Sequence, residues 1–348
     1  PEFFVGKSIS IGDDINISYH RALTIVLSGI VAAGLYVLLT RTRVGTAMRA
    51  SVDNPDLLEL YGGKPKTVAA LSWAVGTSLG ALSGILLAPI VGLEYFQLTL
   101  LVISAYAAAM LGKLTSLPLT YVGALLLGLA SSYLVGYLDR VQKFIDFLPL
   151  PFTLDLSGLP AVVPALFLGL ILVLLPQAPL RIGQVKGLVA APVPSLQKSL
   201  GWGAALLAAV FFISGSMSNA NLLLVGTAAT YGIVMLSLVL LTGYGGVVSL
   251  AQFTFAGVGA IAYCKIDQPN LLGLLIVVLI SAAVGALVAI PVLRLTGLYL
   301  ALATLAFAQL MEKLIFNQKF AFEFANLLPA KRLSILGYEF TTNRQYVV

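Results

Sequence analysis

Residues 67–90 make 24 consecutive positions without a charged side chain, and nine further uncharged stretches recur along the chain, at 22–40, 98–112, 117–138, 161–176, 200–217, 220–242, 250–263, 271–291 and 298–311. A helix of about 17–25 apolar residues is long enough to cross a bilayer, where every backbone polar group must be satisfied within the segment. Stretches so long and so frequent leave few alternatives. The composition agrees, with 59% of the residues hydrophobic and only 10% charged, far from the balance of a soluble domain. A membrane barrel would show short segments of alternating polarity, whereas these are apolar all round. The expected fold class is all-α: a polytopic helical membrane protein with about ten transmembrane or partly spanning helices in contact with lipid.

None of the ten stretches holds Asp, Glu, Lys, Arg or His. Ion-coupled pumps commonly carry ionisable groups at midplane; here a coupled mechanism has nothing to titrate, although a sodium site of carbonyls and hydroxyls stays open. No GxxxxGK[ST] loop, HExxH or CxxC pair occurs, so no catalytic residue and no metal site is expected. His20, the lone histidine, is read as an interfacial residue at the edge of the first span, since a metal needs several donors. Lone Cys264 can form no internal disulfide. The net charge of +6 is spread over loops, without the dense basic patch that nucleic acid requires. A chain opening at Pro1 without Met is expected of an interior piece. Uphill transport by such a chain would draw its energy from a separate partner.

The longest charge-bearing stretch is TRTRVGTAMRASVDNPDLLELYGGKPK, residues 40–66, with Arg41, Arg43, Arg49, Asp53, Asp56, Glu59, Lys64 and Lys66. Burying these charges in lipid at about 2.5 kcal/mol each would cost on the order of 20 kcal/mol, so the segment lies in water. Asn54 or Asp53 can cap a helix, Pro55 suits its first position, and Gly62 and Gly63 with Pro65 end it. A short exposed helix over about 55–61 follows, whose apolar side, Leu57, Leu58 and Tyr61, is too small to be a core and can press on something outside the bilayer. Residues 1–21 read as a loop or irregular cap, 139–160 as a polar loop, and the proline-rich 177–199 as a linker between two membrane units. Placing 41–66 in the cytoplasm puts Lys113, the linker and Arg294 there too, although each side then carries ten Lys and Arg.

These residues resemble the membrane-spanning permeases of branched-chain amino acid ABC importers. In that family an Arg-rich, Gly- and Ala-containing run precedes a Pro-started short helix and a glycine, and this helix docks in a groove of the ATPase. The resemblance assigns ATPase coupling to Arg43, Arg49, Asp53, Pro55, Leu58, Glu59 and Gly62, with Gly45 and Ala50 also on the pattern. An ordinary solvated loop with a capped turn is the alternative. A second stretch, LTGYGGVVSLAQFTFAGVGAIAY at 241–263, is similar to the other permease type of the same importers, and LRLTGLYLALATLAFAQL follows at 293–310. Residues 1–176 thus look like the rear part of one permease, 177–199 like a cytoplasmic linker, and 200–348 like the front part of its partner. The implied whole is a natural fusion.

Several positions depart from the family. Its Gly-Gly-x-Gly turn is replaced by Lys113, Leu114 and Thr115 in AAAMLGKLTSLPLTYVG, Val247 stands where Gln is common, and Ala251 where Gly is. In the second stretch Gly243, Gly245 and Gly246 interrupt the apolar pattern, and irregular backbone at membrane depth is tolerated only where protein or a water-filled cavity satisfies it. Tyr244, Ser249 and Gln252 would then be polar contacts along a substrate pathway. The competing reading is a cytoplasmic turn with Ser249 capping the next helix. Gly76, Gly80 and Gly84 form a GxxxG face suited to helix packing or, less simply, to a pore lining, and GVGAIA at 257–262 lies in a span, where a dinucleotide fingerprint has no meaning.

The resemblance implies a permease for hydrophobic amino acids in a bacterial-type plasma (inner) membrane. Its partners would be cytoplasmic ATP-binding subunits, which hold ATP and Mg, and an extracytoplasmic solute-binding protein; this chain itself would carry no cofactor. Amides, urea or other small solutes remain open as substrates. The alternatives are an ATP-independent secondary transporter or channel, and a membrane scaffold that has lost transport.

Overall fold

A computed structural model of the chain describes residues 8–11, 15–147, 155–175, 195–292, 294–295, 297–322, 328–335 and 338–339. The helices divide into two compact units, one running up to Ser132 and the other holding Tyr133–Val173 and the described residues from 195 onward.

The first unit opens with an antiparallel hairpin of β1 (Ser8–Ile11) and β2 (Ile15–Ser18), with Ile9 opposite Ile17 and Ile11 opposite Ile15. This corrects the expectation of an irregular cap. SISI and INIS alternate with the period of a strand, a signal that the four-residue length obscured. Helix α1 (Tyr19–Arg41) follows at once, its first turn capped by Ser18, whose hydroxyl accepts the His20 N–H at 3.3 Å. Then come α2 (Arg43–Asp53), α3 (Pro55–Leu60), α4 (Pro65–Val91), α5 (Tyr95–Leu111) and α6 (Leu117–Phe147).

His20 stands in the first turn of α1, at the edge of the first span, and packs inside the protein. Its side chain is fully buried, 0% exposed, and Nε2 lies 3.0 Å from the Leu86 carbonyl oxygen of α4. A carbonyl only accepts, so Nε2 carries the proton. The bond ties the start of α1 to α4, and burial with a partner is the only inexpensive way to keep an imidazole among apolar helices. The hydroxyls of the spans follow the same rule: Thr24, Thr40, Ser72, Thr77 and Ser78 each donate to the carbonyl four residues back, which spares them a lipid-exposed donor.

Helix α6 extends nine residues beyond the expected span end at 138, which replaces the first part of the expected 139–160 loop. At 31 residues it is about 46 Å long, more than the roughly 30 Å of hydrocarbon. Side chains pair along its charged end: the Arg140 guanidinium lies 5.2 Å from the Tyr137 ring centre, and Gln142 Nε2 donates to Asp146 at 2.8 Å. Charge excludes that end from hydrocarbon; it does not end a helix.

The second unit contains the end of α6, α7 (Leu159–Leu174), α8 (Leu196–Ser214), α9 (Asn219–Leu238), α10 (Gln252–Ile266), α11 (Leu271–Val292) and α12 (Gly297–Leu310), and a small hairpin of β3 (Ser334–Ile335) and β4 (Tyr338–Glu339). Helix α8 begins inside the segment read as linker; the rest of that linker lies outside the described residues. Val162, Leu168 and Leu172 of α7 are fully buried. Ahead of α7, Gln318 clasps the Asp155 peptide: Oε1 accepts the Asp155 N–H at 2.8 Å and Nε2 donates to its carbonyl at 2.7 Å. Gly158 lies so close to the Lys313 carbonyl that no Cβ fits.

Among the described residues seven helices, counting α9 and α12 with the π-helical turns that extend them, are long and apolar enough to cross a membrane, and the shorter apolar helices include α7 and the 98–111 part of α5. Each of the ten expected stretches contains a helix among the described residues. The protein is an all-α polytopic membrane protein.

Candidate functional site

The solvent segment is more ordered than its sequence implied. Residues 43–53, read only as an Arg-rich run, form α2. Thr42 makes the corner: its hydroxyl donates to Leu38 O at 2.6 Å and accepts the Gly45 N–H at 3.1 Å, so one side chain closes α1 and caps α2. Gly45 is buried against α1, and a Cβ there would meet Leu38 O and would stand 2.5 Å from Leu39 Cα. Only glycine allows the two helices to approach so closely.

Helix α3 forms as expected. Asn54 Oδ1 accepts the Leu57 N–H at 3.0 Å, Pro55 takes the first position, and Gly62 reverses the chain at φ +78°. The Gly62 N–H reaches Glu59 O and the Gly63 N–H reaches Leu58 O, both at 2.9 Å, the paired bonds of a Schellman ending. Leu58 folds under Gly63 and is half-buried. Leu57, Leu60 and Tyr61 face outward, the last two 83% and 84% exposed. Of the expected apolar side, Leu58 therefore packs inward and Leu60, which the pattern missed, takes its place. Arg43, Pro55 and Glu59 are exposed as well.

Arg49 and Asp53 border a cleft of about 870 Å³ formed by α1, α2, α4 and the α5–α6 turn, which Leu39, Val75 and Leu79 also line. In that turn Lys113 and Leu114 have φ of 52° and 57°, left-handed backbone at two of the positions where the resembled family has small flexible residues. Gly76 opens on the same cleft. Gly76, Gly80 and Gly84 have nothing within 4 Å of a would-be Cβ, so the packing face expected on α4 is open among the described residues.

In the second unit, α9 runs into one π-helical turn, Val239–Tyr244. The wider turn lets the Gly245 N–H reach Leu240 O and the Val247 N–H reach Leu241 O, both at 3.0 Å, before Gly246 ends it at φ +64°. Residues 247–251 are not helical, and α10 starts at Gln252. Ser249 does not cap α10: Ala251 occupies the cap position, and the buried Ser249 hydroxyl takes the Ala251 N–H at 3.3 Å. Sequence reasoning missed Thr304 of α12. Its buried hydroxyl accepts the Leu250 N–H and donates to Ala301 O, both at 2.9 Å, so irregular backbone is satisfied from a neighbouring helix. The usable signal was that Thr304 is the only Ser or Thr in α12. Gln252 lies 3.2 Å from Ser237 Oγ, while Gly243, Tyr244, Gly245 and Gly246 are exposed. The expected pathway residues thus fall into an inner pair, Ser249 and Gln252, and an outer glycine turn with Tyr244.

The chain is thus a multi-pass helical membrane protein with a capped helical knuckle after its first span. The branched-chain amino acid transport system permease component family matches residues 3–176. The chain is 32% identical over 136 residues to the high-affinity branched-chain amino acid transport system permease protein BraD of Pseudomonas aeruginosa, covering 38% of this chain and 42% of that one. It is 31% identical over 105 residues to the probable branched-chain amino acid transport permease protein LivH of Methanocaldococcus jannaschii, covering 30% and 33%, and 26% identical over 148 residues to LivH of Escherichia coli, covering 41% and 48%. No solved structure gives a significant match. The chain belongs to the branched-chain amino acid transport permease family. It spans less than half the length of the curated relatives it matches.

Proposed function

We propose that the chain is the membrane-spanning part of an ATP-driven importer for branched-chain or other hydrophobic amino acids, in a bacterial-type inner membrane. ATP and Mg belong to separate cytoplasmic subunits, and a solute-binding protein delivers the substrate from outside. The observation that carries this reading is the knuckle: α3 is capped at both ends, follows directly on α2, which Thr42 and Gly45 fix to α1, and presents Leu57, Leu60 and Tyr61 beside Glu59 to solvent. An exposed apolar ridge on a rigid, charged segment marks an interaction surface, and rigidity is what passing motion to the spans requires.

In this reading the seven coupling residues divide by role. Pro55, Leu58 and Gly62 build α3, Glu59 contacts the ATPase, Arg43 lies on the exposed face of α2, and Arg49 and Asp53 line the cleft behind it. Residues 1–176 and 200–348 are two permease parts joined by 177–199, and Gly243, Tyr244, Gly245, Gly246, Ser249 and Gln252 border the solute's route. The test is uptake of labelled leucine into proteoliposomes holding the full-length protein and its ATPase. Uptake should require ATP, and Glu59→Arg with Leu60→Asp should abolish ATPase pull-down while membrane insertion is kept. Uptake by the permease without ATPase, or pull-down unchanged in the double variant, overturns the reading.

A further inference from the structure

We infer that α7 is the contact by which the two permease parts pair, so that they hold together without the covalent linker between them. The inference rests on the reading of 1–176 and 200–348 as two such parts. The family match runs to residue 176 and so includes α7, yet α7 through Val173 groups with the helices that follow residue 195. The last helix of the matched stretch is thus seated among the helices of the other part.

Along α7, Val162, Ala165, Leu168 and Leu172 recur at helical spacing and are at most 2% exposed. Leu172 also lines an apolar cleft with Val288 and Val292 of α11 and with Ala306, Phe307 and Leu310 of α12. Lipid tails compete for such contacts, because they are as apolar as leucine, so close backbone approach and hydrogen bonds decide which partner a helix keeps. Both occur just ahead of α7. Gln318 lies two residues past the π-helical turn Met311–Phe316 that extends α12, and it is itself only 2% exposed. Its amide accepts the Asp155 N–H at 2.8 Å and donates to the Asp155 carbonyl at 2.7 Å. Donor and acceptor of one side-chain amide thus match both groups of one peptide. From the other side Gln142 Oε1 of α6 accepts the next N–H, that of Leu156, at 2.9 Å. Gly158 then meets the Lys313 carbonyl where no Cβ fits. The end of α12 therefore suits one kind of partner: an apolar helix entered through a non-helical peptide and a glycine.

The test uses the full-length protein in detergent, with a protease site inserted within 177–199 and an affinity tag on the N-terminal side. Before cleavage the tether keeps the parts at millimolar effective concentration; after cleavage and dilution to about a thousandth of that, only the contact holds them. The C-terminal product should stay with the tagged one. Gln318→Ala removes two hydrogen bonds at about tenfold each and should raise the Kd between the products roughly 100-fold. Gly158→Ala, which drives a Cβ into the Lys313 carbonyl, should release the C-terminal product. Gly169→Ala, with nothing within 4 Å of its Cβ, is the control on α7 and should change nothing. Uncut, all three variants should insert and elute as the unaltered protein does, which separates loss of pairing from loss of fold; should uncut Gly158→Ala fail to insert, Gln318→Ala alone reads the contact. Release of the C-terminal product from the cut, unaltered protein overturns the inference, and so does retention in Gln318→Ala equal to that of the unaltered protein. Pairing is read without ATPase or solute, so its failure is distinct from failure of the importer reading.

Discussion

Replacing Gly45 by alanine perturbs the junction on which the position of the knuckle depends. The added Cβ would meet Leu38 O and stand 2.5 Å from Leu39 Cα and 2.7 Å from Leu39 O, all main-chain atoms of α1. No side-chain rotation can clear them. Since ordinary contact begins near 3.4 Å, α2 must retreat from α1 by about 1 Å, and overpacking of this kind costs about 1–3 kcal/mol. The retreat also stretches the 3.1 Å bond from the Gly45 N–H to Thr42. The knuckle should therefore open about 5- to 150-fold more often. Hydrogen exchange of the detergent-solubilised protein reads this directly: amides of α2 and α3 should exchange faster by that factor, with the interior of α1 unchanged. Gly29→Ala in α1, which has nothing within 4 Å of its Cβ, is the control and should leave exchange in α2 as it was. Unchanged α2 protection in Gly45→Ala would refute the account of the junction.

Glycine at 113 or 114 should stabilise the first unit by about 1 kcal/mol at each position, because both hold left-handed backbone that costs a side chain; thermal unfolding of the two variants measures it. Thr304→Val removes the acceptor for the Leu250 N–H and should cost about 1–3 kcal/mol, read as lower denaturation temperature and faster exchange at Leu250. Asp155 gives a pH dependence. The Ser157 N–H donating to Asp155 Oδ1 at 2.8 Å, with help from the Ser157 side chain, holds the Asp155 carboxyl below its ordinary 3.8. A depressed carboxyl stabilises the fold above its ordinary value and loses that contribution as pH falls through the lowered one. Asp155→Asn should therefore flatten the acid limb of unfolding as pH falls below the ordinary carboxyl value of 3.8, and an identical limb in both proteins would count against the bond.

The spans were legible because hydrocarbon imposes one demand, a long charge-free helix, and seven of the ten uncharged stretches fall in helices that meet it among the described residues. The local chemistry of α3 was legible too: Asn54, Pro55 and Gly62 are residues whose backbone preferences match the cap, first turn and reversal they form. What escaped depends on partners remote in sequence. His20 is buried because Leu86, 66 residues on, offers a carbonyl, and Thr304 matters because Leu250 has an N–H to satisfy. Helix α2 escaped for another reason. Its close seat on α1 is a packing fact, visible in the sequence only as one glycine among Arg43, Arg49 and other polar residues. The end of α6 was misread because charge was equated with loop.

The most direct test of the central claim is the side of the membrane on which α3 lies. With Cys264 replaced by serine and a single cysteine placed at Leu60, intact cells are treated with a membrane-impermeant maleimide, before and after permeabilisation. Labelling only after permeabilisation is the result the account predicts, since in the proposed importer the ridge of Leu57, Leu60 and Tyr61 would face the compartment of the ATPase. Labelling of Leu60→Cys in intact cells would put the ridge on the outer face and contradict it.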